Sequence, residues 1–284
     1  MKQKVNFGDL PEKYSSPKNA KIVILPVEYD QTSTWIKGAK KGPKAIIEAS
    51  ANMELYDIET DSEVYKKGIF TEKPLAGKTS PENMVKTVAE KTKSYLEKGN
   101  FVVVIGGEHS VSIGSIKAHA QCYENITVLQ LDAHSDLRQQ YNNSKYNHAC
   151  VMARASEICP IVQVGIRSMD SSEKKFIKKE NIFFARDIYN NNDWFDRAIA
   201  KLSQNVYITI DLDVFDPSIM PSTGTPEPGG LLWYHILAFL KTLVHERNVI
   251  GFDVVELCPN EKNKAPDFLA AKLIYKLLSY KFGE

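Results

Sequence analysis

Acidic and imidazole side chains alternate in one short stretch of the sequence, DAHSD, at residues 132–136. Asp132, His134 and Asp136 occupy every second position, so in an extended chain all three side chains point to the same side. Neighbouring carboxylates repel each other, and burying one without a partner is costly. Since the stretch follows the apolar run Ile126–Leu131, which is typical of a buried strand, we expect a cation between these side chains.

Two further motifs supply ligands of the same kind. The DLD stretch at 211–213 follows the apolar run 206–210, and GGEHS at 106–110 follows FVVVI. The three motifs together offer four carboxylates and two imidazoles, carried by His109, Asp132, His134, Asp136, Asp211 and Asp213. Two divalent cations would balance four carboxylates, and oxygen ligands with some imidazole and no thiolate suit Mn²⁺. We therefore expect two Mn²⁺ per chain, bridged by Asp132 and Asp211, the first acids of their motifs.

Each motif taken alone also has a simpler interpretation. An acid pair after a strand is common in turns and helix caps, and a single histidine is more often a hydrogen-bonded structural residue than a ligand. However, all three motifs follow an apolar run, and in a parallel sheet ligands bind beyond the carboxyl ends of the strands. This convergence favours a shared metal site.

Short apolar runs alternate with amphipathic stretches along the chain. The predicted strands are 21–25, 101–105, 127–131, 161–165, 181–184, 206–210 and 249–254. The predicted helices are 43–51, 110–119, 194–203, 232–246, 265–282 and a helix that begins at Pro81, with Ser80 as its N-cap, and is closed by Gly99. Alternating strands and helices, with continuously apolar strands, predict an α/β fold with a mostly parallel central sheet.

Composition excludes several classes of function. The 284 residues carry 36 Lys and Arg against 35 Asp and Glu, and this balance disfavours nucleic-acid and anionic-membrane partners. We find no apolar run of the roughly 18 residues needed to span a membrane. The first residues lack the apolar core of a secretory signal, and the four cysteines form no C-x-x-C pair. We therefore expect a cytoplasmic protein with free thiols.

The motifs also occur in a familiar order. GGEHS, DAHSDLR, ITIDLDVFDPS, STGTPEPGGL and GFDVVELCP resemble, in order and spacing, the ureohydrolase family of arginases and agmatinases, and TPEPGG and YNHACVMAR are more similar to agmatinases. The resemblance implies a single three-layer α/β/α domain over residues 1–284 that assembles into a homo-oligomer, usually a trimer or hexamer. It also implies one Mn²⁺ bound by His109, Asp132, Asp136 and Asp211, and a second bound by Asp132, His134, Asp211 and Asp213. Glu108 replaces the family's usual Asp, and since it only adjoins a ligand we expect the metal site to survive.

The reaction that this resemblance implies is hydrolysis of a guanidino group to urea and an amine. A guanidinium is a poor electrophile for plain water, but a water shared by two divalent ions can ionise near neutral pH. Residue type and resemblance make Asp136 the group that passes a proton to the leaving nitrogen, and Glu256 the carboxylate that binds the guanidinium. His148 matches a histidine of the family that acts as a proton shuttle or contacts the substrate. Thr225 and Glu227 are expected in the pocket wall. A structural loop histidine and a surface acid are the simpler alternatives for His148 and Glu256.

The substrate is less sharply defined than the reaction. The whole-motif match favours agmatine, which would give putrescine and urea, with guanidinobutyrate, arginine and aminopropylagmatine as alternatives. Arg138 would repel the ammonium of agmatine if it faced the substrate tail, and would not if it turned toward acidic neighbours. Two other classes stay open: a metal-dependent deacetylase with one zinc on a related fold, and a guanidine-binding protein without catalysis.

Overall fold

The computed structural model describes residues 6–189 and 192–283. Within these ranges nine strands form one sheet, with the order β2-β1-β4-β9-β8-β5-β6-β7 and with β3 beside β1, and every pair is parallel. The strands are β1 Ile22–Glu28, β2 Ile69–Thr71, β3 Leu75–Ala76, β4 Phe101–Gly106, β5 Ile126–Leu131, β6 Ile161–Ile166, β7 Ile182–Phe184, β8 Asn205–Asp211 and β9 Asn248–Val255.

Helices cover both faces of this sheet. They are α1 Glu12–Ser15, α2 Gly42–Ser50, α3 Pro81–Leu96, α4 Ser112–Cys122, α5 Val151–Ser156, α6 Ala185–Ile188, α7 Trp194–Ile199, α8 Trp233–Glu246 and α9 Ala265–Phe282. Side chains of α2, α7, α8 and α9 pack in the core on one face, and those of α3, α4 and α5 pack on the other. The expected three-layer α/β/α fold is confirmed.

The strands are apolar on both faces because both faces are covered. In β1, Ile22 and Ile24 join the core beneath α2 and α9, whereas Val23 and Leu25 join the core beneath α3. Since successive strand residues point to opposite faces, a strand between two helical layers needs an unbroken apolar run. This is why the continuously apolar runs predicted the strands correctly.

The first strand continues past the predicted end at residue 25 and includes Pro26. A proline cannot donate to a strand ladder, and it is tolerated where no acceptor is opposite. On one side of β1, pairing with β2 ends at Ile24, and pairing with β3 begins at Val27. Pro26 lies in the gap between them.

Other differences concern short or marginal elements. The helix predicted over 194–203 ends at Ile199, and β2, β3 and α5 were not predicted. The N-cap prediction is confirmed, since the Ser80 hydroxyl accepts the N–H of Asn83 at 3.3 Å and α3 begins at Pro81. The expectation of a single domain over 1–284 stays a prediction.

Four adjacent central strands, β4, β9, β8 and β5, carry the polar motifs at their carboxyl ends. His109 follows β4, Glu256 follows β9, Asp211 ends β8 and Asp132 follows β5. The fold therefore brings distant parts of the chain to one edge of the sheet. Among the helices of the described residues, none combines the length and apolar character that crossing a membrane would require.

Candidate active site

The six predicted metal ligands meet at this edge in two overlapping groups. In each group, one possible ligand atom per residue lies within 4.8 Å of the others. The groups are His109, Asp132 and Asp211, and Asp132, His134 and Asp213. Asp136 joins the first group, with its Oδ2 3.0 Å from Nδ1 of His109. Asp132 belongs to both groups, whereas Asp211, the other predicted bridge, belongs only to the first.

His109 is oriented by a buried chain of hydrogen bonds. Its Nε2 lies 2.8 Å from the hydroxyl of Thr209, which donates to Asp253 at 2.7 Å. The single hydroxyl proton of Thr209 goes to Asp253, so Nε2 of His109 must carry the proton that Thr209 accepts. In the neutral ring, Nδ1 therefore keeps its lone pair and is available to a ligand.

That Nδ1 atom provides a direct test of whether the site fits a metal. It is buried, lacks a directed hydrogen-bond partner within the described residues, and lies 3.2 Å from Asp132 and 3.6 Å from Asp211. A buried nitrogen lone pair among carboxylate oxygens is unfavourable without a cation between them. The donor set therefore fits a divalent metal with oxygen and nitrogen ligands, although the ligand roles themselves stay predictions.

His134 has a similar arrangement with a different partner. Its Nδ1 lies 2.9 Å from Asp213 and 3.7 Å from Asp132, whereas its Nε2 lies 3.7 Å from the carboxylate of Glu227. Metal-binding histidines commonly donate their second ring N–H to such a carboxylate. Glu227, predicted only as pocket wall, therefore faces a histidine that is a predicted metal ligand.

Ionisation within the site reflects the crowding of acids. Burial and the charge of Asp132 raise the pKa of Asp136 to about 7. Burial, with Asp213 and Asp132, raises the pKa of Asp211 well above its usual range. Burial opposes the charging of His134, but Asp213 and Asp132 outweigh it and raise the pKa of His134 to about 12. Protons thus balance the carboxylates, and a bound cation would displace them.

Two of the acids occupy unusual backbone conformations. Asp136 has φ of 52° and Glu256 has φ of 68°, in the left-handed region that residues other than glycine seldom adopt. The carbonyl of Asp136 accepts the N–H groups of Met152 and Ala153, and the N–H of Glu256 donates to the carbonyl of Gly107 at 2.7 Å. These bonds hold both residues in their rare backbone conformations. Rare conformations that are held in this way are typical of functional sites.

Gly107 is required because the backbone packs closely around it. A Cβ at this position would lie 2.1 Å from the carbonyl oxygen of Tyr29. The chain after β4 can therefore approach the end of β1 only with glycine at 107. This approach places His109 in the site.

A cavity of about 190 Å³ opens beside the clustered acids. Glu256, His148 and Thr225 all line it, so the structure brings the predicted substrate contacts to the predicted metal site. The Glu256 carboxylate accepts the backbone N–H of His109 at 2.6 Å. Burial, with the charge of Glu108, raises the pKa of Glu256 to about 8. A cationic guanidinium would favour the ionised form of this carboxylate.

The orientation of Arg138, left open by the sequence, is clear in the structure. Its guanidinium lies 3.3 Å from Asp170 and 3.4 Å from Glu173, and it stacks on the ring of Tyr141 at 4.7 Å. Arg138 therefore turns toward acidic neighbours. Sequence reasoning missed Asp170 and Glu173, because residues 166–176 show no periodic or spaced motif.

Glu108 is fully buried behind His109 and lies outside both ligand groups. Its carboxylate accepts the N–H of Thr32 at 2.6 Å, the N–H of Ser33 at 2.7 Å and the hydroxyl of Ser110 at 2.6 Å. The longer side chain at this position therefore binds the loop after β1. His109 lies in the first candidate ligand group beside this replacement.

Comparison with known proteins identifies the family. A sequence model described as "Arginase family" matches residues 20–279, which is most of the chain. The chain belongs to the arginase family. The resemblance inferred from the motifs is thereby confirmed.

Individual members of the arginase family are similar over nearly the whole chain. An N(1)-aminopropylagmatine ureohydrolase of Synechocystis is 40% identical, over 96% of this chain and 92% of its own length. An agmatinase of Pyrococcus horikoshii is 32% identical, over 92% of each chain. The crystal structure of an agmatine ureohydrolase of Thermoplasma volcanium superposes with a TM-score of 0.87 at 28% identity, covering 98% of this chain and 94% of that one.

Proposed function

We propose that this chain is a ureohydrolase that cleaves the guanidino group of N(1)-aminopropylagmatine, releasing urea and the corresponding triamine. The observation that carries the proposal is the 40% identity, across 96% of the chain, to a protein of that name. Agmatine, favoured by the sequence motifs, is the second candidate because an agmatinase is 32% identical. Both substrates end in an ammonium group and neither carries a carboxylate.

The charges around the cavity support a substrate with a cationic tail. Arg138 is engaged by Asp170 and Glu173, so it offers no unpaired cation to a substrate carboxylate. Hydrogen bonds from Ser172, with the charge of Arg138, hold the pKa of the Asp170 carboxyl below its usual range. Arg138, Asp170 and Glu173 all line the cavity, so this wall presents two carboxyl groups beside one guanidinium, and this balance favours an ammonium over a carboxylate.

The residues of the site have complementary tasks in this reaction. The Glu256 carboxylate would bind and orient the guanidinium, whose N–H groups match a carboxylate. Asp136, whose burial raises its pKa to about 7, can hold a proton near neutral pH and pass it to the leaving nitrogen. His148, which also lines the cavity, would contact the substrate or move a proton.

Two Mn²⁺ ions are the metals we propose for the site. His109, Asp132, Asp136 and Asp211 would hold one, and Asp132, His134, Asp211 and Asp213 would hold the other. When bound, divalent ions make a water molecule acidic enough to act as a nucleophile near neutral pH.

Urea release tests the proposal. Purified protein loaded with Mn²⁺ is given N(1)-aminopropylagmatine, agmatine, arginine and guanidinobutyrate in parallel, and kcat/KM is compared. We expect the aminopropyl compound to have the highest value and agmatine the next. A preference for arginine or guanidinobutyrate contradicts the proposal, and release from none of the four refutes it.

Metal content separates the remaining alternatives. Near two Mn²⁺ per chain is expected of the ureohydrolase, and one zinc per chain with deacetylation of an acetylated amine would instead indicate the deacetylase. Binding of guanidines by metal-loaded protein without any turnover would indicate a binding protein.

We also propose that the chain forms a homo-oligomer. A large apolar groove between α8, α9 and the 54–59 segment supports this, with Ile58 exposed by 87% and Tyr234 by 82%. Monomeric proteins seldom expose contiguous apolar surface of this kind. Sedimentation of the protein, and of the double variant Ile58→Asp with Tyr234→Asp, tests the proposal. A wild-type monomer, or a variant with unchanged mass, contradicts it.

A further inference from the structure

Three residues far apart in sequence form a buried chain of hydrogen bonds from Glu108 to the cavity. The hydroxyl of Thr32 donates to Oε1 of Glu108 at 2.7 Å. The same hydroxyl oxygen accepts the backbone N–H of His148 at 3.0 Å and lies 3.1 Å from Nδ1 of its ring. Glu108 and Thr32 are buried, and the ring of His148 lines the cavity.

The direction of these hydrogen bonds follows from the number of protons available. A hydroxyl has one proton to donate, and in Thr32 it goes to Glu108. Glu108 is an acceptor here, because its carboxylate also receives the N–H groups of Thr32 and Ser33 and the hydroxyl of Ser110. Thr32 therefore has only lone pairs to offer His148, and Nδ1 of His148 must be the donor.

Resting on the proposed ureohydrolase function, we propose that Glu108 and Thr32 are positioning residues for His148. They hold its ring as the Nδ1–H tautomer and leave the lone pair on Nε2 for the substrate. The ring is also held by Tyr141, which contacts it edge to face at a centroid distance of 6.2 Å. The replacement at position 108 thus acts on the substrate side of the site, through the loop after β1.

This tautomer suits a cationic guanidine. A guanidinium group and an ammonium group present only N–H donors, so a ring nitrogen that faces them must be an acceptor. The opposite tautomer would direct an N–H toward the substrate and repel it. An unprotonated Nε2 can also take up a proton and return it.

Nitrogen NMR of the histidine rings tests the proposal directly. In protein labelled with ¹⁵N-histidine, long-range ¹H–¹⁵N spectra distinguish the two neutral tautomers of His148. They are recorded at roughly pH 8, where the ring of His148 is neutral because burial lowers its pKa to about 4. The protein is measured metal-free and loaded with diamagnetic Zn²⁺, and His148→Asn identifies the signal among the six histidines. Thr32→Val removes the hydroxyl and keeps the branched shape, and Thr32→Ser is the matched control that keeps the hydroxyl.

We expect the Nδ1–H tautomer in the wild type and in Thr32→Ser, and a shift toward the Nε2–H tautomer in Thr32→Val. We expect kcat to fall by about 10- to 100-fold in Thr32→Val, less than the roughly 100- to 10,000-fold that a whole acid–base group contributes, because the ring is misoriented and not removed. We expect kcat to stay within about threefold in Thr32→Ser, because serine keeps the hydroxyl that orients the ring. A wild-type Nε2–H tautomer overturns the proposal, as does a folded Thr32→Val that keeps Nδ1–H. If Thr32→Val does not fold, the wild-type and Thr32→Ser spectra still decide.

The spectra need no substrate. The Nδ1–H tautomer in a protein that releases no urea would therefore refute the proposed function and leave the positioning of His148 intact.

Discussion

Replacing Thr209 with valine should weaken metal binding although Thr209 is not itself a predicted ligand. Its hydroxyl lies 2.8 Å from Nε2 of His109 and donates to Asp253 at 2.7 Å. Valine keeps the branched shape and removes both bonds. The ring of His109 then loses the partner that fixes its tautomer and orientation.

Two separate costs follow from these contacts. Loss of a group that orients a metal-binding histidine typically lowers metal affinity by about 10- to 100-fold, or about 1.4 to 2.7 kcal/mol. Independently of metal, leaving a buried acceptor without a donor costs about 1 to 3 kcal/mol of folding stability. Asp253 keeps the hydroxyl of Tyr207 at 2.7 Å on its other oxygen, so the site should still fold.

A second buried threonine of the same sheet separates the two costs. Thr127 in β5 is also fully buried, and its hydroxyl bonds Ser203 at 2.7 Å, far along the strand from the clustered acids. Thr127→Val should lower the melting temperature of metal-free protein without changing its affinity for Mn²⁺. Affinity is measured by competition with a chelating dye, and stability by thermal unfolding in the presence of EDTA.

The reasoning fails if Thr209→Val binds Mn²⁺ within about twofold of wild type, since the typical effect of such a group is at least tenfold. It fails equally if Thr127→Val loses as much affinity as Thr209→Val. In either case the orientation of His109 would not depend on Thr209.

Three further predictions concern the same site. Asp132→Ala should remove both metals and all urea release, because Asp132 belongs to both ligand groups; retained turnover with added Mn²⁺ would contradict its bridging role. Metal-free protein should lose stability as pH rises from 5 to about 8. The pKa is raised to about 7 in Asp136 and to about 8 in Glu256, so between these pH values the folded state binds more protons than the unfolded state. A melting temperature that rises over this range would contradict this prediction. Asp170→Asn should raise KM for N(1)-aminopropylagmatine by about two- to fivefold with little change in kcat, as expected for an exposed charge pair; a matched Asp193→Asn, outside the cavity lining, should change neither.

Much of the fold and the ligand set could be predicted from the sequence because local patterns determine them. Strands such as Phe101–Gly106 are covered on both faces and are therefore continuously apolar, which distinguishes them from the surrounding amphipathic helices. The acids after them stand out as a set, because three such motifs follow apolar runs and the carboxyl ends of parallel strands meet at one edge of the sheet. The two-residue strand Leu75–Ala76 offers no such pattern, since only pairing with β1 defines it.

The residues that orient the ligands were missed because they depend on contacts across the sheet. Thr209 and Asp253 lie opposite each other on β8 and β9, a pairing that the sequence alone does not reveal. A signal was nevertheless present: an aspartate inside the apolar run VIGFDVV must have a buried partner. Thr32, 116 residues from His148, gave no signal of this kind.

In each of the three histidines nearest the cavity, the ring is linked to a carboxylate, either directly or through a threonine hydroxyl. No sequence motif or spacing indicates this arrangement. His109 reaches Asp253 through Thr209, His134 faces Glu227 directly, and His148 reaches Glu108 through Thr32. In the first and third cases a threonine hydroxyl donates its one proton to the carboxylate, and so obliges the imidazole to donate as well. The carboxylate thereby selects the ring nitrogen that keeps a lone pair, which is Nδ1 of His109 for the proposed metal and Nε2 of His148 for the proposed substrate. Because Asp253 and Glu108 are buried behind the site, we expect that a change of acid at position 108 alters how substrate is held without touching either substrate or metal.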